Sequence, residues 1–361
     1  MKYDYSETIE FLLDWYEQNA RILPWRENPK PYYVWISEIM LQQTRVEAVK
    51  AYFERFISAL PDITSLAEAE EEKLLKLWEG LGYYNRARNL QKTARILVSE
   101  YGGKLPGDYT KLLTLPGIGS YTAGAIASIA FQIAEPAVDG NVLRVMMRVS
   151  GSFEDITEAK VKKSLEADLR AVMHKDRPGD FNQAVMELGA TVCIPVGKPL
   201  CDKCPIIHLC QAFKNHTEDK IPVKKEKKPR KIQERTIFLV EKGGRYLLNK
   251  REKKGLLAGM MEFPGMEGKL LPVAAEDYLA GLGYAIETLV PLGEAKHIFS
   301  HVEWHMTGYL VHVSEVVAED SESYRKGKEE SKTFPVWAFK REIEEIYSLP
   351  SAFDSYRKFI V

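Results

Sequence analysis

Leu115-Pro116-Gly117-Ile118-Gly119-Ser120-Tyr121-Thr122-Ala123-Gly124 is the stretch that decides the fold. Two glycines one residue apart permit a tight turn and a close approach of backbone to ligand, because neither carries a Cβ. A helix that starts at the end of such a turn offers unpaired N–H groups to an anion. The flanking sequence, Thr110 to Phe131, reads as a helix on each side. The expectation is a helix, a hairpin and a second helix that grip a nucleic-acid phosphate without reading sequence.

Working outward, the chain continues as helices. Ile9, Leu12, Leu13 and Tyr16 recur at helical spacing. Ser65 and Glu68 have the spacing of a capping box ahead of an apolar stretch ending at Leu77-Trp78. Ala87, Leu90, Ala94 and Leu97 form another stripe, stopped by Gly102-Gly103. Phe181, Ala184, Val185 and Leu188 line a helix that leads into a cysteine-rich loop. Residues 1–222 are therefore expected to be mainly α. Val223 to Arg235 carries five lysines and two arginines against two glutamates, and residues 223–235 read as a basic linker. Beyond it the period changes. Thr236 to Val240 is β-branched and aromatic, Gly243-Gly244 suggests a hairpin to Tyr246-Leu247-Leu248, and Val302, Trp304 and Met306 alternate. With helices expected near 272–281, 338–347 and 351–359, residues 236–361 read as an α+β domain.

The bulk numbers agree with two domains. The chain has 361 residues, 45% of them hydrophobic and 28% charged. Its formal net charge of -1 is not that of a strongly basic nucleic-acid binder, so a DNA surface would have to be local. No apolar run reaches the length of a membrane span. Met1-Lys2-Tyr3-Asp4-Tyr5 lacks the layout of a signal peptide, and a cytoplasmic, intracellular location is expected. All four cysteines fall in Cys193-x7-Cys201-x2-Cys204-x5-Cys210. Disulfides are disfavoured inside the cell. Four thiolates in so short a loop can hold zinc or a 4Fe-4S cluster.

Two acidic residues complete the pattern. Glu38 has Ile36, Ile39 and Leu41 as sequence neighbours, surroundings that would raise its pKa. Asp139, in Val138-Asp139-Gly140-Asn141, follows the hairpin by about twenty residues. Two carboxyls in different environments can divide acid and anion roles between them.

Three stretches taken together resemble one family. Ser37-Glu38-Ile39-Met40-Leu41-Gln42-Gln43-Thr44, the 115–141 hairpin with its downstream aspartate, and the cysteine loop are similar to the MutY-type adenine DNA glycosylases of the endonuclease III, or helix-hairpin-helix, superfamily. The family usually has six residues in the first cysteine gap, and this chain has seven. The resemblance implies a six-helix domain at about 26–132, a cluster domain from 1–25 and 133–222, and one 4Fe-4S cluster on Cys193, Cys201, Cys204 and Cys210. It implies Glu38 as general acid and Asp139 as stabilising carboxylate, with Asn141 orienting it and Tyr121 bonded to the pair. Lyase members carry a lysine where Tyr121 stands, so base removal without strand cleavage is expected. Leu23, Trp25, Arg26 and Gln183 would form the adenine pocket. Gln43, Thr44, Arg45, Leu81, Tyr83, Gly117 and Gly119 would contact DNA, with Tyr83 as the wedge that fills the vacated stack.

After residue 236 the resemblance is to a Nudix fold, on Leu257 to Gly265 with Glu262-Phe263-Pro264. The magnesium-binding box of Nudix hydrolases is absent, so the fold is expected without that chemistry. Phe299-Ser300-His301 resembles the loop with which the family recognises 8-oxoguanine. The expected partner is duplex DNA with adenine opposite 8-oxoguanine or guanine, bound by a monomer away from any membrane. Competing readings are a thymine or oxidised-pyrimidine glycosylase with lyase activity, a non-catalytic damage sensor, and a nucleotide hydrolase.

Overall fold

The computed structural model describes residues 3–225, 229–252, 254–316 and 335–361. It divides into two compact units, Met1–Ala69 with Arg88–Glu226, and Glu70–Ala87 with Lys227–Val361. Among the described residues no helix is long and apolar enough to cross a membrane.

The first unit is helical. Its elements are α1 (Ile9–Asn19), α2 (Pro24–Glu27), α3 (Pro31–Leu41), α4 (Val46–Ala59) and α5 (Ile63–Glu68). After α6 (Glu71–Leu77), which belongs to the second unit, follow α7 (Asn85–Tyr101), α8 (Tyr109–Leu113), α9 (Ser120–Ala125), α10 (Gly140–Ser150), α11 (Ala159–Val172), α12 (Pro178–Thr191) and α13 (Gln211–Lys214). The stripe on α1 packs against α10 and α12, where Leu12, Leu13, Met146, Phe181 and Leu188 share one buried core. One sequence expectation needs correction. Ser65 does not open a helix; it closes a box opened by Asp62. The Asp62 side chain accepts Ser65 N–H at 2.7 Å, and Ser65 Oγ accepts Asp62 N–H at 3.1 Å. An aspartate caps as well as a serine, and here it comes one turn earlier.

The hairpin forms between α8 and α9. Gly117 sits at φ +78°, a conformation that side chains resist, and an added Cβ would lie 2.7 Å from Asn89 Cβ. Gly119 differs: its backbone is extended and nothing lies within 4 Å of the missing Cβ. The turn is braced from α7 by Thr93, whose Oγ1 donates to Pro116 O at 2.7 Å.

The second unit holds a mixed sheet. Its strands are β1 (Lys231–Lys242), β2 (Arg245–Lys250), β3 (Met261–Glu262), β4 (Gly265–Glu267), β5 (Tyr284–Ile298), β6 (Val302–Val316) and β7 (Val336–Phe339). The order is β3-β2-β1-β6-β5, with β4 pairing β1 and β7 pairing β2. β1 and β6 run parallel, and the β5–β6 hairpin is antiparallel. Side chains alternate across β1. Ile237 and Leu239 enter a core with Trp304, Phe353 and Tyr356, while Phe238 and Val240 face Ala275 and Leu279 of α14 (Pro272–Gly281). The helix expected near 338–347 begins later. Val336–Phe339 pairs with β2, and the helix spans Lys340–Glu345, opened by Glu342 accepting Phe339 N–H at 2.8 Å. β1 starts at Lys231, within the basic stretch 223–235; residues 226–228 of that stretch lie outside the described residues.

Candidate active site

Glycine at position 124 sets the geometry of the site. A Cβ there would stand 2.2 Å from Pro136 O, so only glycine lets the segment leading to Asp139 lie against α9. That approach brings Tyr121, on α9, and Asp139, at the start of α10, to the same cavity. α3 supplies Glu38, buried together with Ile36, Ser37 and Met40. Glu38, Tyr121, Asp139 and Asn141 all line one cavity of about 150 Å³. An engineered apolar cavity of about that size admits benzene, so the space suits a planar ring.

The two carboxyls differ in their partners. The Tyr121 hydroxyl donates to Glu38 Oε2. Burial pushes Glu38 up from 4.5 to about 7, with the Tyr121 bond pulling the other way and the Asp139 charge adding to the rise. Burial also holds the Tyr121 phenol well above its usual value. Asp139 caps α10. Its Oδ1 accepts Asn141 N–H and Val142 N–H, both at 2.8 Å, and its Oδ2 accepts Asn141 Nδ2–H at 2.8 Å. Burial raises the Asp139 pKa above the usual carboxylate value, against these three donors, which favour the charged form.

Leu23, Trp25, Arg26 and Gln183 line the same cavity, as does Thr44. Trp25 is buried against Phe53, with ring centres 5.3 Å apart. Gln43 and Arg45 are exposed, with Gln43 at φ +60° just after α3. Sequence reading missed Glu187, Arg21 and Arg144. Glu187 is buried on α12, one turn after Gln183, and accepts from Arg21 Nη2 at 3.1 Å and Arg26 Nη2 at 2.8 Å. Burial alone would raise its pKa; the two guanidiniums hold it below the usual value. The available signal was an acid one helical turn from Gln183, on the same face. Arg144 donates to Asn141 Oδ1, to Gly189 O and to Cys193 O, each at 2.8 Å, and so ties the Asp139 partner to the cysteine loop.

The four cysteines, all half-buried, surround one cavity with Arg148 and Ile206. Arg148 Nη1 lies 3.3 Å from Cys193 Sγ and donates to Ile194 O at 3.1 Å. Among the described residues no three His, Cys, Asp or Glu groups converge closely enough to hold one metal ion.

Known proteins resemble both parts of the chain. Residues 36–170 match the model of the HhH-GPD superfamily of base excision DNA repair proteins, and 236–356 match the NUDIX domain. An adenine DNA glycosylase of Buchnera aphidicola (subsp. Schizaphis graminum) is 36% identical over 307 residues, spanning 84% of this chain and 87% of that one. A second, from Buchnera aphidicola (subsp. Acyrthosiphon pisum), is 35% identical and spans 90% and 91%. The chain belongs to the adenine DNA glycosylases. It is a DNA N-glycosylase of base excision repair. The rat adenine DNA glycosylase is 37% identical, over 81% of this chain and 68% of its own. Two solved structures resemble the helical part. One is a thermostable thymine-DNA glycosylase, with TM-score 0.53 and 27% identity over 59% of this chain and 97% of that one. The other is a trapped endonuclease III–DNA covalent intermediate, with TM-score 0.50 and 26% identity over 60% and 99%.

The remaining sequence candidates of this adenine DNA glycosylase lie in the second unit. Tyr83 is 49% exposed at φ +47°, whereas Leu81 is buried, with its N–H donated to Trp78 O at 3.1 Å and its carbonyl accepting from Arg86 Nη2 at 2.9 Å. Phe299, Ser300 and His301 form the turn between β5 and β6. Phe299 is half-buried, edge-on to His297 and Trp304 with ring centres 4.6 and 4.9 Å away, while Ser300 and His301 are exposed.

Proposed function

We propose that the chain removes adenine from duplex DNA where adenine faces 8-oxoguanine or, more slowly, guanine, with no lyase step. The observation that carries this reading is that Glu38, able to hold a proton near neutrality, and Asp139, held by three N–H donors, line one ring-sized cavity. The adenine leaves the stack and enters the cavity between Leu23, Trp25 and Gln183. Glu38 delivers its proton to a ring nitrogen of the purine. Oε2 accepts from Tyr121, so the proton is carried on Oε1. Adenine departs with the bonding electron pair, and the Asp139 carboxylate stabilises the oxocarbenium-like sugar. Water then adds to the anomeric carbon, and its proton returns to Glu38. Tyr121, a phenol kept protonated by burial, cannot form a Schiff base with the sugar.

The same reading assigns the other elements. Gly117, Gly119, Gln43, Thr44 and Arg45 approach the DNA backbone and the gap, and Tyr83 is the wedge. The 236–361 domain reads the opposite base through Phe299, Ser300 and His301. The cysteine loop suits one 4Fe-4S cluster. Four half-buried thiols lining one shared cavity give such a cluster its ligands and its space. Bound there by Cys193, Cys201, Cys204 and Cys210, the cluster supplies structural support rather than a reaction step.

Single-turnover base release tests the proposal, with adenine placed opposite 8-oxoguanine, guanine or thymine and nicking scored before and after alkali. Breaks only after alkali, fastest opposite 8-oxoguanine and abolished in Glu38→Gln, are expected. Nicking without alkali, or release that survives Glu38→Gln, overturns it.

A further inference from the structure

Residues 70–87, which sequence places inside the helical region, belong to the unit formed by the C-terminal domain. Polar contacts show what holds them there. Lys76 Nζ donates to Ile343 O and Tyr347 O, both at 3.1 Å, and so satisfies carbonyls at the end of the Lys340–Glu345 helix. Ser348 Oγ donates to Leu75 O at 3.3 Å, and Lys250 pairs with Glu72 at 2.7 Å. Glu79 is at the centre of the set. Its Oε2 meets Lys76 Nζ at 2.6 Å and its Oε1 meets Arg357 Nη1 at 2.5 Å, with the Glu79 side chain only 14% exposed.

The loop that follows Glu79 is bent and shaped from within. Gly80, Gly82 and Tyr83 all take positive φ. Trp78 Nε1 donates to Gly82 O at 3.1 Å, and Arg86 Nη2 donates to Leu81 O at 2.9 Å. The Arg86 guanidinium lies 5.6 Å from the Tyr83 ring centre. The loop has a defined shape, and the Glu79–Arg357 pair fastens its base.

From these contacts we infer that Glu79 and Arg357 are positioning residues for base extrusion. Their ion pair fastens the base of the Tyr83 loop to the C-terminal domain, beside the contacts of Lys76, Leu75 and Glu72, so the domain that carries Phe299–His301 also sets the wedge. The inference rests on Tyr83 acting as the wedge and goes beyond that reading by naming what aims it.

The test is a charge swap in the full-length protein. It is read by single-turnover adenine release opposite 8-oxoguanine and by fluorescence of 2-aminopurine placed beside the target, which reports unstacking. Arg357→Glu and Glu79→Arg should each slow release about tenfold and reduce the fluorescence rise, whereas Arg357→Lys, which keeps a cation facing Glu79, should leave both within about threefold of the parent. A merely structural pair would lower the melting temperature and leave the fluorescence rise of the folded fraction unchanged. If Arg357→Glu does not fold, Arg357→Gln takes its place. Full unstacking and release in the charge-reversal variants overturn the inference, as does an Arg357→Lys variant as impaired as Arg357→Glu. Tyr83→Ala separates the two layers. A normal fluorescence rise in Tyr83→Ala removes the wedge reading itself. An impaired Tyr83→Ala beside normal Arg357 variants removes only the role of the ion pair.

Discussion

Glu38 couples acidity to stability in one side chain. The proton that the proposed acid role requires is held because burial disfavours the charge, so its pKa stands near 7 instead of 4.5. The rate of adenine release should therefore fall as pH rises through about 7, approaching tenfold per unit above it, as a pH–rate profile under single turnover would show. Stability follows the same proton. A raised folded-state pKa contributes stability that is complete below the unfolded value and is lost as pH climbs towards 7. Glu38→Gln, uncharged at every pH, should thus be more stable than the parent at pH 8 by about 3 kcal/mol, with the gap closing near pH 5. Denaturant titrations at the two pH values decide it. A gap that does not change with pH would mean that the charge of Glu38 is already compensated.

Among the elements, the α9 crossing is the most demanding. Gly124→Ala would drive a methyl into Pro136 O, 2.2 Å from its Cβ position, and push back the segment that ends in Asp139. A loss of roughly 2–4 kcal/mol is expected, with adenine release impaired in the folded fraction. Gly119→Ala meets open space and should change stability by no more than about 0.5 kcal/mol. Urea unfolding of the pair separates the two glycines, which look alike in sequence. Elements with a clear apolar period were legible: the stripes on α1, α7 and α12 are buried as their spacing implies. Where the signal was a short polar motif, a nearer competitor won, as Asp62 did over Ser65. Val336–Phe339 is too brief to declare its period, and only pairing with β2 makes it a strand. Glu38, Tyr121 and Asp139 were named from motifs, yet nothing in their spacing shows that they meet. Glu187 went unread because its partners, Arg21 and Arg26, stand more than 160 positions away.

At the scale of the whole molecule the formal charge of -1 conceals the binding problem. A repair enzyme of this balance must collect its cations on one surface, and DNA binding should still release counterions. Affinity for a lesion duplex is expected to fall about 10–100-fold between 50 and 200 mM salt, measured by titration at fixed temperature; a flat response would mean few phosphate contacts. The partition into units was the least legible feature. Glu79 and Arg357 are 278 residues apart, and no local pattern links them.

That partition changes what counts as a module in this gene. A cut at the basic stretch would appear to free the C-terminal domain as a cassette for grafting onto another glycosylase. The cassette is in fact discontinuous: residues 70–87 reach it from inside the helical region. A chimera joined only at that stretch would set a foreign 70–87 segment against the native Ile343, Tyr347 and Arg357, leaving Lys76 and Glu79 behind in the donor. Recombination that preserves function has to move both pieces together, and natural variation at Glu79 should follow variation at Arg357.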